Sequence, residues 1–321
     1  MAGFLLRRLA ASLLLLYLVL TATFLLIQIV PGDITNLAED TRLTLAQKEN
    51  LRRIYGLDRP IGERYLAWLA AVARGNLGTA FSQQRPVSAA ILDALPGTLL
   101  LAAAAIVVEY AAALLLGVAA ARRPGSGVDH AIRVGSLLLF SQPVFWLGLM
   151  AILLFSYVWP VLPAGHMRSI DAAEMGAVER GLDLLHHLAL PALVLGLSAA
   201  GGTARFVRGS LLEVMSRDYI RTARAKGLSE RRVIWAHGLR TTLAPLLQLF
   251  ALTLPGLLSG SFITEVVFSW PGLGRLTFNA ILARDFPLIL GTTAFSAVLV
   301  LLGNLLADLL LAAADPRVRD A

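Results

Sequence analysis

Three carboxylates, Glu109, Glu265 and Asp308, stand within or beside long apolar runs. An ionisable side chain is costly in hydrocarbon, so such a residue defaults to a functional candidate. Glu109 lies deepest, and it would face either an aqueous transport path or a partner helix. Glu265 and Asp308 sit near the ends of their runs, where solvated or snorkelling positions are expected. The adjacent His186 and His187 suggest a metal, but no further ligands stand at suitable spacing, so they read as a boundary pair and no metal site is assigned. The 321-residue chain has no cysteine, which excludes disulfides, thiolate metal sites and a cysteine nucleophile. Its only lysines are Lys48 and Lys226, and no G-x-x-x-x-G-K-S or G-x-x-x-x-G-K-T run occurs. The chain therefore carries no Walker-type phosphate cradle, and energy for any transport must come from elsewhere. Neither H-E-x-x-H nor G-x-S-x-G appears, so no catalytic residue is assigned.

The remaining chemistry is electrostatic. Between Arg205 and Arg240 nine basic residues face only Glu213, Asp218 and Glu230, a net charge of +6. Positive-inside orientation and attraction to anionic lipid, about 1 kcal/mol per basic residue near the surface, account for the charge. They do not account for the punctuation. Ser216 to Lys226 can form a short helix that Gly227 stops, because glycine takes the left-handed conformation without a Cβ penalty. Ser229 can cap a second helix, with Val233, Ile234, Leu239 and Leu243 on a broadly apolar face. Helix, glycine, helix over Asp218 to Pro245 describes a rigid element shaped to fit something.

The elements that must position these groups are membrane helices. The chain is 57% hydrophobic and 15% charged, with positive mean hydropathy, which places it among polytopic membrane proteins. Its net charge of +7 is then explained by basic residues held on one side, and nucleic acid is not implied. Six spans are expected: Leu9–Gly32, Gly97–Ala121, Val134–Val158, Leu184–Ala204, Leu243–Val267 and Leu288–Ala313. The fold class is all-α, divided into a cytoplasmic N-terminus with an uncleaved first span (1–32), an external helical region (33–95) and a five-helix core (96–321) with a cytoplasmic loop at 205–243. With both termini cytoplasmic, sixteen of the 28 basic residues fall inside.

In the external region, Thr44 and Gln47 have capping-box spacing before a helix ended by Gly56. Pro60 opens another helix, with Tyr65, Leu69 and Val72 on one face as far as Gly75, and a third starts at Pro86. This region is either a packing collar or a docking surface. Pro96 starts the second span, and Trp159, Pro160 and Pro163 mark the exit of the third. Gly196, Ala200, Gly201 and Gly202 permit close helix contact in the fourth. Pro271, Gly272 and Gly274 reverse the chain after the fifth span, with Trp270 anchored at the interface. That turn is a simple loop or the outer mouth of a pathway, to which Glu109, Trp270, Pro271 and Gly272 would contribute.

The run Arg221-Thr222-Ala223-x-x-x-Gly227 resembles the EAA signature of permease subunits of ABC importers, with Arg221 where the general pattern has glutamate. DYIRTARAKGLSERRV as a whole is similar to the version in dipeptide, oligopeptide and nickel permeases. Ile54-Tyr55-Gly56-Leu57-Asp58-Arg59-Pro60, Gly75-Asn76-Leu77-Gly78, Arg85-Pro86-Val87, Leu95-Pro96, Val267 to Arg275 and Ala283 to Pro287 agree in order along nearly the whole chain. The resemblance is to the first, B-type permease and implies a type I ABC importer fold in the bacterial inner membrane. It implies that Tyr219, Arg221, Thr222, Ala223, Lys226, Gly227 and Leu228 couple to the ATPase. It also implies a second permease, two ATP-binding subunits that carry ATP and Mg, and a periplasmic or lipid-anchored binding protein, with no cofactor on this chain. Peptide, glutathione-like compound and nickel chelate all remain open as substrates. The competing reading is a self-contained channel or secondary transporter whose basic loop only binds lipid.

Overall fold

The computed structural model describes residues 2–29 and 59–314. The expected helix around Thr44 and Gln47, the Ile54 to Asp58 part of the family motif, and Arg317 and Arg319 lie outside the described residues. The chain divides into two compact units, one of Met1–Pro96 with Pro271–Leu301, the other of Gly97–Trp270 with Leu302–Ala321.

In the first unit, helix α1 (Ala2–Ile29) is followed by α2 (Ile61–Ala73), which starts after Pro60 as expected. Phe24 of α1 stacks on Trp68 at 5.4 Å and meets Tyr65 edge-on at 5.3 Å. The Thr21 and Tyr65 hydroxyls are 2.6 Å apart. An aromatic cluster with one polar tip thus fixes α2 against α1. Gly75, at φ 75°, ends the helical run. Strands β1 (Thr79–Ala80) and β2 (Arg85–Pro86) then pair antiparallel. Pro86 therefore lies in a strand, and the expected third short helix is instead the start of α3 (Val87–Arg122). Proline suits this strand end because it offers no ladder donor. Pro96, expected at a helix start, lies inside α3. Ala80, Val87, Ile91 and Ala94 share a core with Leu273, Leu276 and Ala280 of α10 (Leu273–Leu282) and Leu288 of α11 (Phe286–Ala314).

The second unit is built around α6 (Ala177–Met215), whose 39 residues extend well past the expected fourth span. Against it pack α4 (Gly127–Ser141), α5 (Val144–Ile152) and α9 (Leu239–Val267). The small residues have a measurable use. A Cβ on Gly196 would lie 2.7 Å from the Ala105 carbonyl oxygen and 2.7 Å from Val108 Cβ, so only glycine allows α3 and α6 this approach.

The third expected span is broken. Gln142 adopts extended backbone before Pro143, as a residue preceding proline prefers. The two helical segments, Gly127–Ser141 and Val144–Val158, meet at 101°. Its last six residues, Leu153–Val158, form a π-helical turn. Among the described residues four helices are long and apolar enough to cross a membrane, five if the bent pair counts as one span. The expected fifth span corresponds to the 29-residue helix α9.

Candidate functional site

The basic element begins where α6 ends. Helix α7 (Asp218–Ala225) has Lys226 as its C-cap residue, and Gly227 follows at φ 77°. The Gly227 amide donates to the Arg224 carbonyl at 2.9 Å and the Leu228 amide to the Ala223 carbonyl at 3.4 Å. These two bonds and the left-handed glycine make a Schellman motif, which satisfies carbonyls that the helix end would orphan. Ala223 and Leu228, the residues that motif brings together, pack into a small core with Ile220, Val233, Val214 and Met215. Ser229 has the extended backbone of an N-cap, but its side chain makes no capping bond. The second helix begins as α8 (Glu230–Arg232), passes through a π-helical turn at Val233–Gly238 and continues without a break as α9. Val233, Ile234 and Leu239 are buried as their spacing predicts, whereas Leu243 is exposed.

This fold sorts the seven coupling candidates into two groups. Tyr219, Arg221, Thr222, Lys226 and Gly227 are exposed, while Ala223 is buried and Leu228 half-buried behind them. Arg221 pairs with Asp218 at 3.4 Å and Arg224 with Glu230 at 2.7 Å, both in solvent and each worth at most about 1 kcal/mol. The Tyr219 hydroxyl donates to Thr241 Oγ1 at 3.1 Å. The element therefore presents a cationic face on a support of its own.

Two carboxylates are held inside the second unit. Glu109 is buried and accepts a bond from the Thr203 hydroxyl at 2.7 Å through Oε1, while Oε2 is buried without a hydrogen-bond partner. Glu265 is also fully buried and accepts from Thr98 at 2.7 Å, which corrects its expected solvated position. Position near the end of an apolar run was misleading because α3 supplies a hydroxyl at that level. Trp270 is corrected likewise: it is fully buried, and its indole N–H donates to the Gly97 carbonyl at 2.8 Å, so it is a core residue and not an interfacial anchor. Pro271 and Gly272 belong to the first unit, with Pro271 exposed and Gly272 at the N-cap of α10. Asp308 is half-buried. His186 lies 2.9 Å from the Val161 carbonyl, and His187 lies 3.2 Å from the Asp183 carboxylate. Among the described residues no group of three or more side chains is placed to hold a metal.

Sequence reasoning missed the ion pair that joins two helices of the second unit. Arg208 donates through Nε and a terminal nitrogen to the two carboxylate oxygens of Asp129 at 2.6 and 2.7 Å, which joins α6 to α4. Asp129 also accepts from the Gly125 amide, and its own amide donates to Ser126 Oγ. The signal was the Ser126 to Asp129 spacing in an otherwise basic turn.

Residues 113–320 match the family described as binding-protein-dependent transport system inner membrane component. Residues 1–102 match the N-terminal region of such membrane components. The chain belongs to this family. Its relatives match end to end. One is an oligopeptide transport system permease protein of Bacillus subtilis, 38% identical over 99% of both chains. Others are a di/tripeptide permease of Pseudomonas aeruginosa, 38% identical, and a dipeptide permease of Escherichia coli, 35% identical, each again over 99% of both chains. A solved structure, titled as inward facing conformations of the MetNI methionine ABC transporter, overlaps at a TM-score of 0.48 with 18% identity, over 71% of this chain and 96% of that one. As an inner-membrane component the chain is a multi-pass membrane protein, and all the coupling candidates fall within the main family match.

Proposed function

We propose that this chain is the first permease subunit of an ATP-driven importer for peptides or a related small solute. The observation that carries the reading is the exposed, self-supported helix α7, closed by Gly227, in a member of a transport family that lacks a phosphate cradle of its own. Its full-length relatives are named as peptide permeases. In this reading the chain crosses the membrane six times, with α9 and the bent pair each counted as a span, and both termini are cytoplasmic. Residues 33–95 are periplasmic.

A second permease completes the pathway, an external binding protein delivers the solute, and two ATPase subunits hold ATP and Mg. Tyr219, Arg221, Thr222, Lys226 and Gly227 meet the ATPase, and Ala223 and Leu228 stiffen the element from behind. Glu109 serves the pathway, and Pro271 and Gly272 shape the turn that follows the fifth span. ATP-driven closure moves α7, and this requires an assembly with two stable arrangements, since a docked loop alone shifts no equilibrium. The test is purification of the assembled complex followed by uptake of labelled dipeptide into cells or vesicles. Co-purified ATPase and uptake that stops on ATP depletion are expected. Uptake that persists without ATP while an ion gradient is intact would establish the self-contained transporter instead.

A further inference from the structure

Beyond α7 the basic element contains a second feature, a cleft formed by none of the seven coupling candidates. Ser229, Arg231, Arg232, Trp235 and Ala236 line an open cleft of about 610 Å³. Arg224 and Glu230 are paired with each other, but among the described residues no ion pair engages Arg231 or Arg232. The Ser229 hydroxyl, free of its capping role, also borders the cleft. Trp235 is 47% exposed on the π-helical turn, which is notable for so large an apolar ring.

The surface that continues from this cleft identifies the occupant. Ala236, Arg240, Leu243 and Leu247 recur at spacings of four, three and four residues, and all are exposed. A strip on one helix face therefore runs from guanidinium and indole groups to bare leucines. Trp235 stands eight residues before Leu243, so the cleft lies beside the start of the apolar run. An acidic protein surface would match the arginines but not the leucines that follow. A molecule with an anionic head and an acyl tail matches both.

We propose that this cleft binds the phosphate of an anionic phospholipid, with Arg231 and Arg232 on the phosphate, Trp235 at the glycerol level and the tail along Leu243 and Leu247. The site rests on the cleft and the membrane helix, and so stands apart from the identity of the transported solute.

The test uses the full chain in neutral detergent, titrated with phosphatidylglycerol or phosphatidylcholine and read by native mass spectrometry. Phosphatidylglycerol should remain bound, phosphatidylcholine should not, and excess inorganic phosphate should fail to displace the lipid. The double substitution Arg231→Gln and Arg232→Gln should weaken retention roughly tenfold or more, the scale set by removing two charges beside an anionic headgroup. The charge-keeping pair Arg231→Lys and Arg232→Lys should restore much of it, which separates charge from folding. Arg221→Gln, on α7, should leave lipid retention unchanged even where it weakens ATPase association. Equal retention by the glutamine pair, equal retention of the two lipids, or displacement by inorganic phosphate would each overturn the proposal. So would loss of ATPase association in the glutamine pair with lipid binding intact, because the cleft would then belong to the protein interface.

Discussion

At Glu109 a carboxyl is buried with one donor, Thr203, and an oxygen that has none. Removing the donor should therefore cost more than removing both partners. Thr203→Val is expected to destabilise the protein by about 1–3 kcal/mol, the cost of a buried polar group left without its bond, and to lower the midpoint of thermal unfolding in detergent. Adding Glu109→Met to that variant should recover most of the loss, because an apolar pair leaves nothing unsatisfied. A Thr203→Val protein as stable as the parent would show that the hydroxyl is not what holds the carboxyl. The Arg208 and Asp129 pair makes a similar claim in a different medium. Asp129→Asn keeps an acceptor but removes the charge, so it should loosen α4 from α6. Faster hydrogen exchange in the Gly125 to Asp129 turn is the expected sign, with unchanged exchange in α1 and α2 as the control.

At the scale of elements, the two stops flanking α7 and the hairpin differ in what holds them. Gly227 has open space around it, so its constraint is conformational and not steric. Gly227→Val should cost about 1–2 kcal/mol from the left-handed backbone and reduce co-purification of the ATPase, whereas Gly227→Asn should be milder because asparagine tolerates that region. The hairpin is held by a side chain. Asp285 accepts from the Ser82 amide and hydroxyl at 2.8 and 2.7 Å, and from the Leu288 amide at 3.2 Å in the first turn of α11. Asp285→Ala should cost about 0.5–2 kcal/mol as a lost cap and should expose the 79–86 segment to limited proteolysis.

The glycine stop, the burial of Val233, Ile234 and Leu239, and the helix after Pro60 were legible because each depends on a local rule. The 101° bend, the burial of Trp270 and the hydroxyl on Glu265 were not. The bend had a local signal, Pro143 after Gln142, that reading one continuous apolar run passed over; the other two depend on what another helix brings to that level, and an apolar run reads the same whether its neighbour is lipid or protein. The Asp285 clamp joins residues 203 positions apart, a distance that no periodicity reports.

For the molecule as a whole, 35–38% identity over 99% of the chain makes the subunit assignment a property of the entire sequence and not of one motif. It predicts that the chain alone moves no substrate, and that uptake of labelled dipeptide appears only when the second permease, the ATPases and the binding protein are co-expressed. Uptake by the chain alone in proteoliposomes would refute that prediction. One consequence follows from the core behind α7. Ile220, Ala223 and Val233 anchor the helix to its own chain, so its outward residues carry little of the packing beyond the Tyr219 bond to Thr241. The helix works like a key whose blade is cut separately from its bow. Exchanging Tyr219, Arg221, Thr222 and Lys226 for those of a related permease should redirect the subunit to that relative's ATPase while the rest of the chain is left as it is.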